Sequence, residues 1–279
     1  MITTKSSGRT LLLRFGVGLL VSSSAAFGLD ERASPLTLAE KEAFLLNARV
    51  VKQWHVPRGV RNTSAAILND GKMEHEAHIQ TVDISLPSYQ TARGVERDFR
   101  DSHKYNVAAY ELAKLLDLDM VPPSVERKVD RQMAAVTWWV DNKMYDEVDR
   151  VRLKAQPPDI QGWDRQMYVV QVFDQLVGNT DRNRGNLVIT KDWRIWMIDH
   201  TRAFRTHKNL DDPHNMVQCG RKLLTGMRKL DKATLKQHLG KYVESAQVDS
   251  ILARRDKIVK FFDDEIASKG EQAVLYDLP

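Results

Sequence analysis

An α+β chain of two lobes is the fold this sequence predicts: a small β-rich N-terminal lobe with one helix, then a larger, mainly helical C-terminal lobe. Three observations predict it. Short segments of strand character separated by turn residues fill the region before residue 140. Long apolar stripes at helical spacing dominate after residue 160. Within the second region, residues 178 to 204 place acidic and amide side chains in a loop, a tight hairpin and the exit of an apolar strand.

Taken in order, the chain opens with Lys5, Arg9 and Arg14 ahead of an apolar run from Phe15 to Phe27, with small residues around Ala26 and Gly28. That layout predicts a signal peptide over 1–28 and export to a periplasmic or secreted location. An uncleaved anchor or a buried N-terminal helix is the alternative, and the chain is then cytoplasmic if the segment is no signal. The run is too short for a spanning helix, which needs about 20 apolar residues, and no other stretch reads as a membrane span.

Residues 29–140 read as the small lobe. Leu38 to Leu46 reads as a short helix across it, Val50 to Val56 as a first strand, Ala65 to Asn69 as a second and Glu74 to Ile84 as a third. Gly59-Val60-Arg61-Asn62-Thr63-Ser64 reads as a turn over phosphate or as an ordinary β-turn, since it holds one Gly and no G-x-G-x-x-G series. Asp70-Gly71 marks a hairpin turn. Residues 85–101, polar and charged with Pro87 and Gly94, read as a connecting loop. A helix follows from about Ser102 to Leu116, with Tyr105, Ala108, Leu112 and Leu115 on one stripe. Pro122-Pro123 ends that region, and Ala134 to Val140 reads as a buried strand running to a hinge near Asp141-Asn142. Trp138 and Trp139 read as core, with an adenine-lining role for one of them as the alternative.

Residues 141–279 read as the large lobe. A helix starts near Trp163, turns Met167, Val170, Phe173, Leu176 and Val177 to its core, and ends on a loop over 178–186. Leu187 to Ile189 and Ile195 to Ile198 read as two strands joined around Lys191-Asp192. Three basic helices from about Val217 to Lys269 close the lobe.

Composition narrows the function. With 42% hydrophobic and 28% charged residues the chain reads as an ordinary globular protein, neither disordered nor fibrous. Lys+Arg of 42 against Asp+Glu of 37 gives a formal charge of +5, which suits phosphate-bearing ligands and is too mild to argue for nucleic acid. Arg221, Lys222, Arg228, Lys229, Arg254 and Arg255 alternate with apolar residues at helical spacing and read as a solvated helix face. The single cysteine, Cys219, excludes an intrachain disulfide and a cysteine-based zinc cluster.

The chemistry concentrates in 178–204. Gly178, Asn179 and Gly185 favour tight backbone, and the hairpin folds Asp199 back toward Asp181 and Asn186. Mg²⁺ takes oxygen ligands, one or two of them carboxylates, and fills its remaining positions with water and phosphate oxygens. Asn186 and Asp199 meet that demand, and Asp181 is then free to orient a hydroxyl and accept its proton. An Asp-rich turn between two strands is the structural alternative.

Asp181, Asn186 and Asp199 in this order resemble the catalytic core of protein-kinase-like phosphotransferases. Gly178-Asn179-Thr180-Asp181-Arg182, Asn186 and Ile198-Asp199-His200 are similar to an atypical branch, the phosphatidylinositol 3-/4-kinases and the secretory-pathway kinases of the Golgi casein kinase type. Tyr105 to Leu116 with Val121 to Val125 resembles the helix of their small lobe and its exit. The resemblance implies a bilobal protein-kinase-like fold using ATP with Mg²⁺ or Mn²⁺. It implies Asp181 in the catalytic loop, Asn186 and Asp199 as metal ligands within segments 178–186 and 199–204, and 205–215 as an activation-segment-type loop for an acceptor. The acceptor hydroxyl stays open among proteins, sugars and other polyols.

The chain departs from that pattern where the phosphates are anchored. Ala77-His78-Ile79-Gln80 puts Gln80 at the position of the strand lysine, and Asn106 replaces the helix acid that holds it. Gln and Asn bond each other as neutral groups, so the paired loss is self-consistent. Gly59, Arg61, Gln80 and Asn106 are thus the candidate nucleotide contacts, with Arg61 a substitute charge or a solvated surface residue. Asn183 stands where the lipid kinases commonly carry His. His75 and His78 project to opposite faces of their strand and form no metal pair. A kinase-like phosphotransferase leads; an exported pseudokinase and a metal-dependent phosphohydrolase are the alternatives.

Overall fold

The computed structural model describes residues 36–56, 63–91, 94–211 and 213–278. The leader reading of 1–28 and the phosphate-turn reading of Gly59 and Arg61 lie outside these residues. Helix α1 (Leu38–Asn47) starts where the Thr37 hydroxyl accepts from the Glu40 N–H and the Glu40 carboxylate accepts from the Thr37 N–H, a reciprocal cap.

Five antiparallel strands follow α1 in the N-terminal sheet: β1 (Arg49–His55), β2 (Thr63–Asn69), β3 (Glu74–Gln80) and, later in the chain, β6 (Ser124–Val129) and β7 (Gln132–Trp138). Their order is β1-β2-β3-β7-β6. Alternation along β3 sets the two faces. Ala77 and Ile79 enter a core with Phe44, Leu45, Leu68, Val136 and Trp138, whereas His78 and Gln80 point to the opposite face.

The third strand stops at Gln80, not at Ile84, and the expected loop over 85–101 is a two-stranded ribbon, β4 (Asp83–Thr91) with β5 (Gly94–Ser102). Its polar composition misleads because nearly every position of β4 is exposed, so no apolar alternation marks it. Pro87 is tolerated because a two-stranded ribbon has only edges, and Asp98 opposite it takes φ +50°. The ribbon inserts between β3 and helix α2 (Lys104–Leu115).

The C-terminal part is mainly helical: α3 (Glu147–Leu153), α4 (Ile160–Val177), α5 (Arg221–Lys229), α6 (Lys232–Leu239), α7 (Ser245–Lys269) and α8 (Glu271–Val274). Strands β8 (Lys143–Asp146), β9 (Leu187–Thr190) and β10 (Ile195–Met197) form an antiparallel sheet ordered β10-β9-β8, and β11 (Cys219–Gly220) pairs in parallel with β12 (Leu275–Tyr276). The larger core joins Phe173 and Leu176 of α4 to Ile251, Ile258 and Phe262 of α7. It also takes in Tyr105, Ala108, Ala109 and Leu112 of α2. Helix α2 is therefore packed on the C-terminal core, although the strand that follows it, β6, belongs to the N-terminal sheet.

Arg254 corrects the reading of the basic helices as solvated. Its side chain is fully buried, with Nε donating to the Leu176 carbonyl at 3.0 Å and Nη1 to the Arg205 carbonyl at 2.8 Å. Burial pushes its pKa down to about 10, opposed by Asp211, so it stays charged at neutral pH. It packs under Gly178, the C-cap of α4, which lies in the left-handed region at φ +60°. A Cβ there would stand 2.9 Å from the Arg254 Cζ, and the carbonyls hold that guanidinium in place.

Gly178→Ala is expected to lower stability by about 1–3 kcal/mol, from the left-handed backbone and the contact together. Urea denaturation checks this; an unchanged midpoint would show that Arg254 yields freely.

Candidate active site

Helix α4 ends on the loop that carries Asp181. Asn179 shapes the turn, its Nδ2 donating to Asp174 Oδ1 at 2.9 Å and its Oδ1 accepting from the Asp181 N–H at 3.1 Å. Arg182, next in the chain, uses all five of its N–H donors. Nε and Nη2 form a fork on the Asp174 carboxylate, Nη1 reaches the carbonyls of Asn186 and Ile198, and Nη2 also donates to His200 Nε2 at 2.9 Å. One side chain thus ties the end of α4, the loop and the exit of β10. The Ile198 N–H returns a bond to the Asn186 carbonyl at 3.0 Å, which brings the Asp199 segment alongside Asn186.

Asp199 lies at φ +56°, a conformation that a non-glycine residue keeps only when its surroundings impose it. The surroundings here are a continuous hydrogen-bond chain. The Asn106 Oδ1 accepts from the His200 N–H at 2.7 Å, Asn106 Nδ2 donates to Gln80 Oε1 at 2.5 Å, and Gln80 Nε2 donates to Asp199 Oδ1 at 3.4 Å. Thr201 Oγ1 also donates to Asp199 Oδ1, at 3.0 Å. Gln80 and Asn106 are both buried. The amide pairing expected from the sequence is present, and it reaches the carboxylate.

Asn186 Nδ2 points at the Asp181 carbonyl, 3.5 Å away, which leaves its side-chain oxygen for other use. No described residue bonds Asp199 Oδ2. An amide oxygen and a carboxylate oxygen, both part-exposed, fit a hard divalent cation that takes its other ligands from phosphate and water. Among the described residues no three His, Cys, Asp or Glu side chains gather into a metal cage of their own.

Sequence reasoning missed Asp101, Arg202 and the fork of Arg182. Arg202 Nη1 is 3.2 Å from Asp181 Oδ2, and its Nε is 3.1 Å from Asp101 Oδ2 at the end of β5. Burial works against the Arg202 charge, but bonding to Asp101 and attraction from Asp101 and Asp181 raise its pKa. The next turn repeats the pattern, with Arg205 Nη2 2.5 Å from Glu96 Oε1 of β5. Phe99 lies under both guanidiniums, its centroid 5.2 Å and 5.5 Å from their carbons. No sequence signal marks this group: β5 is charged and largely exposed up to Phe99, and the polar reading of 85–101 passed over it.

Trp138 belongs to the N-terminal core, stacked on His75 at 3.6 Å between centroids. His78, on the Gln80 face, is pushed down by burial, against attraction from Asp199. His75 and His78 face opposite sides, as expected.

The chain is similar to the crystal structure of the Golgi casein kinase, with a TM-score of 0.60 and 13% sequence identity over 88% of this chain and 80% of that one. At that identity the likeness shows the fold, which is kinase-like, with a β-rich N-terminal part and a helical C-terminal part. The Helicobacter pylori proinflammatory kinase CtkA is also similar, at a TM-score of 0.45 and 9% identity over 76% of this chain and 91% of that one, a score too low to add to the assignment. No family model matches the chain, and no curated protein does.

His200 must stay neutral to accept from Arg182, and burial, with the Arg182 charge, holds its pKa well below the ordinary histidine value of 6.5. The unfolded chain binds protons at His200 and His78 below about pH 6.5, whereas burial shifts that uptake to lower pH in the folded chain, so stability is full above that pH and falls below it. Urea midpoints measured from pH 7.5 to 5.5 should decline, by at most ~1.4 kcal/mol per pH unit for each such group. His200→Gln, whose Oε1 can accept the same bond, should flatten the profile; an identical slope in the variant would exclude His200 as a source.

Proposed function

We propose that the chain is a nucleotide- and divalent-metal-dependent phosphotransferase of the atypical kinase-like type, acting on a hydroxyl acceptor. The observation that carries this reading is the hydrogen-bond chain from His200 through Asn106 and Gln80 to Asp199. It joins a sheet strand, a helix and an acidic segment in the arrangement a kinase-like cleft needs, beside a loop bearing Asp181 and Asn186. By motif, the reading lies with the branch that includes the phosphatidylinositol 3-/4-kinases and the secretory-pathway kinases.

In this reading Asn186 and Asp199 hold Mg²⁺ or Mn²⁺ against the nucleotide phosphates, and the ion supplies charge neutralisation when bound. Asp181 orients the acceptor. The hydroxyl oxygen forms a bond to phosphorus, the bond to the departing diphosphate breaks, and Asp181 takes the hydroxyl proton. Gln80 and Asn106 keep the geometry of the usual ion pair without its charge. Loss of one charge-stabilising donor costs on the order of 10²–10³ in rate, against accelerations of roughly 10⁶-fold or more, so transfer survives it in this reading. The acceptor class spans protein, sugar and other polyol hydroxyls, and the leader places the work outside the cytoplasm if the mature chain starts at Leu29.

The same neutral pair favours a second reading, a pseudokinase that binds nucleotide without transfer. Thermal unfolding with ATP, with and without MnCl₂, tests both. Wild type should gain stability only when metal and nucleotide are present together, by about 2.7 kcal/mol at ~100-fold excess over Kd. Asp199→Ala should lose that gain and Asp181→Ala should keep it. No metal-dependent gain in wild type overturns the nucleotide reading, and a gain without phosphate transfer to any acceptor selects the pseudokinase.

A further inference from the structure

Transfer of a phosphoryl group calls for fixed positive charge against the phosphates, and β3 and α2 put the amides Gln80 and Asn106 where that charge would stand. A terminal phosphate lying between Asp181 and Asp199 meets two carboxylates. A divalent cation on Asp199 offsets one of them. Arg202 is placed to offset the other, with Nη1 3.2 Å from Asp181 Oδ2.

Three features of Arg202 fit a ligand-facing cation. Its side chain is 22% exposed, neither sealed in the core nor free in solvent. Its guanidinium lies over a buried ring, Phe99, with its carbon 5.2 Å from the centroid, a contact that limits the entropy lost on binding. Its Nη2 makes no hydrogen bond to any described residue, so donors remain after the two carboxylates are satisfied. Asp101 then has a clear part. Its side chain is only 9% exposed, and it holds Arg202 through Nε at 3.1 Å while Nη1 reaches Asp181. A buried acid holding a basic side chain toward the phosphates is the task of the missing strand-and-helix pair, moved to β5 and the segment after Asp199.

We propose that Arg202, held by Asp101, supplies the positive charge for the terminal phosphate of a bound nucleoside triphosphate at the Asp181 end of the cleft. Arg202 is then a catalytic residue and Asp101 a positioning residue. This inference rests on the phosphotransferase reading.

Calorimetric binding of ATP and of ADP, each with MnCl₂, to the full chain tests it without needing an acceptor. Wild type should prefer ATP. Arg202→Gln should weaken ATP by about tenfold or more, the size expected for a lost charged hydrogen bond, and leave ADP unchanged. Arg202→Lys should keep most of the preference, and Asp101→Asn should lose part of it. The double variant Asp101→Asn with Arg202→Gln removes the charge without stranding a buried acid, and should match Arg202→Gln. Equal weakening of both nucleotides, or no change in either, overturns the inference and leaves the nucleotide reading standing. Stronger ATP binding in Arg202→Gln overturns it in favour of an arginine that holds the site shut. Wild type that binds neither nucleotide overturns both readings at once.

Discussion

Everything at this site hangs on a guanidinium with no donor to spare. Arg182 bonds a carboxylate of α4, the carbonyls of Asn186 and Ile198 and the ring of His200, so the end of α4 is fixed to the end of the β9–β10 ladder through one planar group. Both Arg182 and Asp174 are 12% exposed. Breaking a pair so buried leaves an uncompensated charge at a cost of about 3–5 kcal/mol. The fork also fixes the tautomer of His200: Nε2 accepts, and the backbone N–H of the same residue carries the order onward to Asn106.

That onward step explains how amides stand where an ion pair is usual. A lysine and an acid attract over a range of distances. Two amides do not, and they hold register only if each donor meets an acceptor. Asn106 accepts from His200 and donates to Gln80, which donates to Asp199, so every link is directional. The left-handed backbone of Asp199 is kept in place by that chain and by Thr201. A neutral network imposes shape on the Asp199 carboxylate without lowering the local negative charge; in the proposed reading the positive charge comes from Arg202 instead.

Much of this was legible in the sequence because it depends on short-range spacing. Asp181, Asn186 and Asp199 announce themselves by residue type and separation, the stripes of α2 and α4 by period, and the Gln80 and Asn106 exchange by its being double. The rest depends on tertiary contact. The β4–β5 ribbon is exposed along most of its length, so it carries no apolar alternation to distinguish it from a loop. Arginine is a surface residue by default, and nothing near Arg254 in the sequence tells that three backbone carbonyls wait for it in the core. Arg202 was silent for the same reason, since its partner Asp101 is 101 positions away.

The ribbon has a mechanical meaning. It leaves the N-terminal sheet at β3 and grips the far side of the cleft through the Ser102 N–H on the Thr201 carbonyl, Glu96 on Arg205 and Arg100 on Glu244. Helix α2, the next element, is already embedded in the C-terminal core. Any rotation of the sheet away from the helices must stretch this strap, so swinging apart is opposed on the β5 side and freest on the side of the connection at 139–142. The clasps on Glu96 and Glu244 are partly open to water, so added salt loosens the strap.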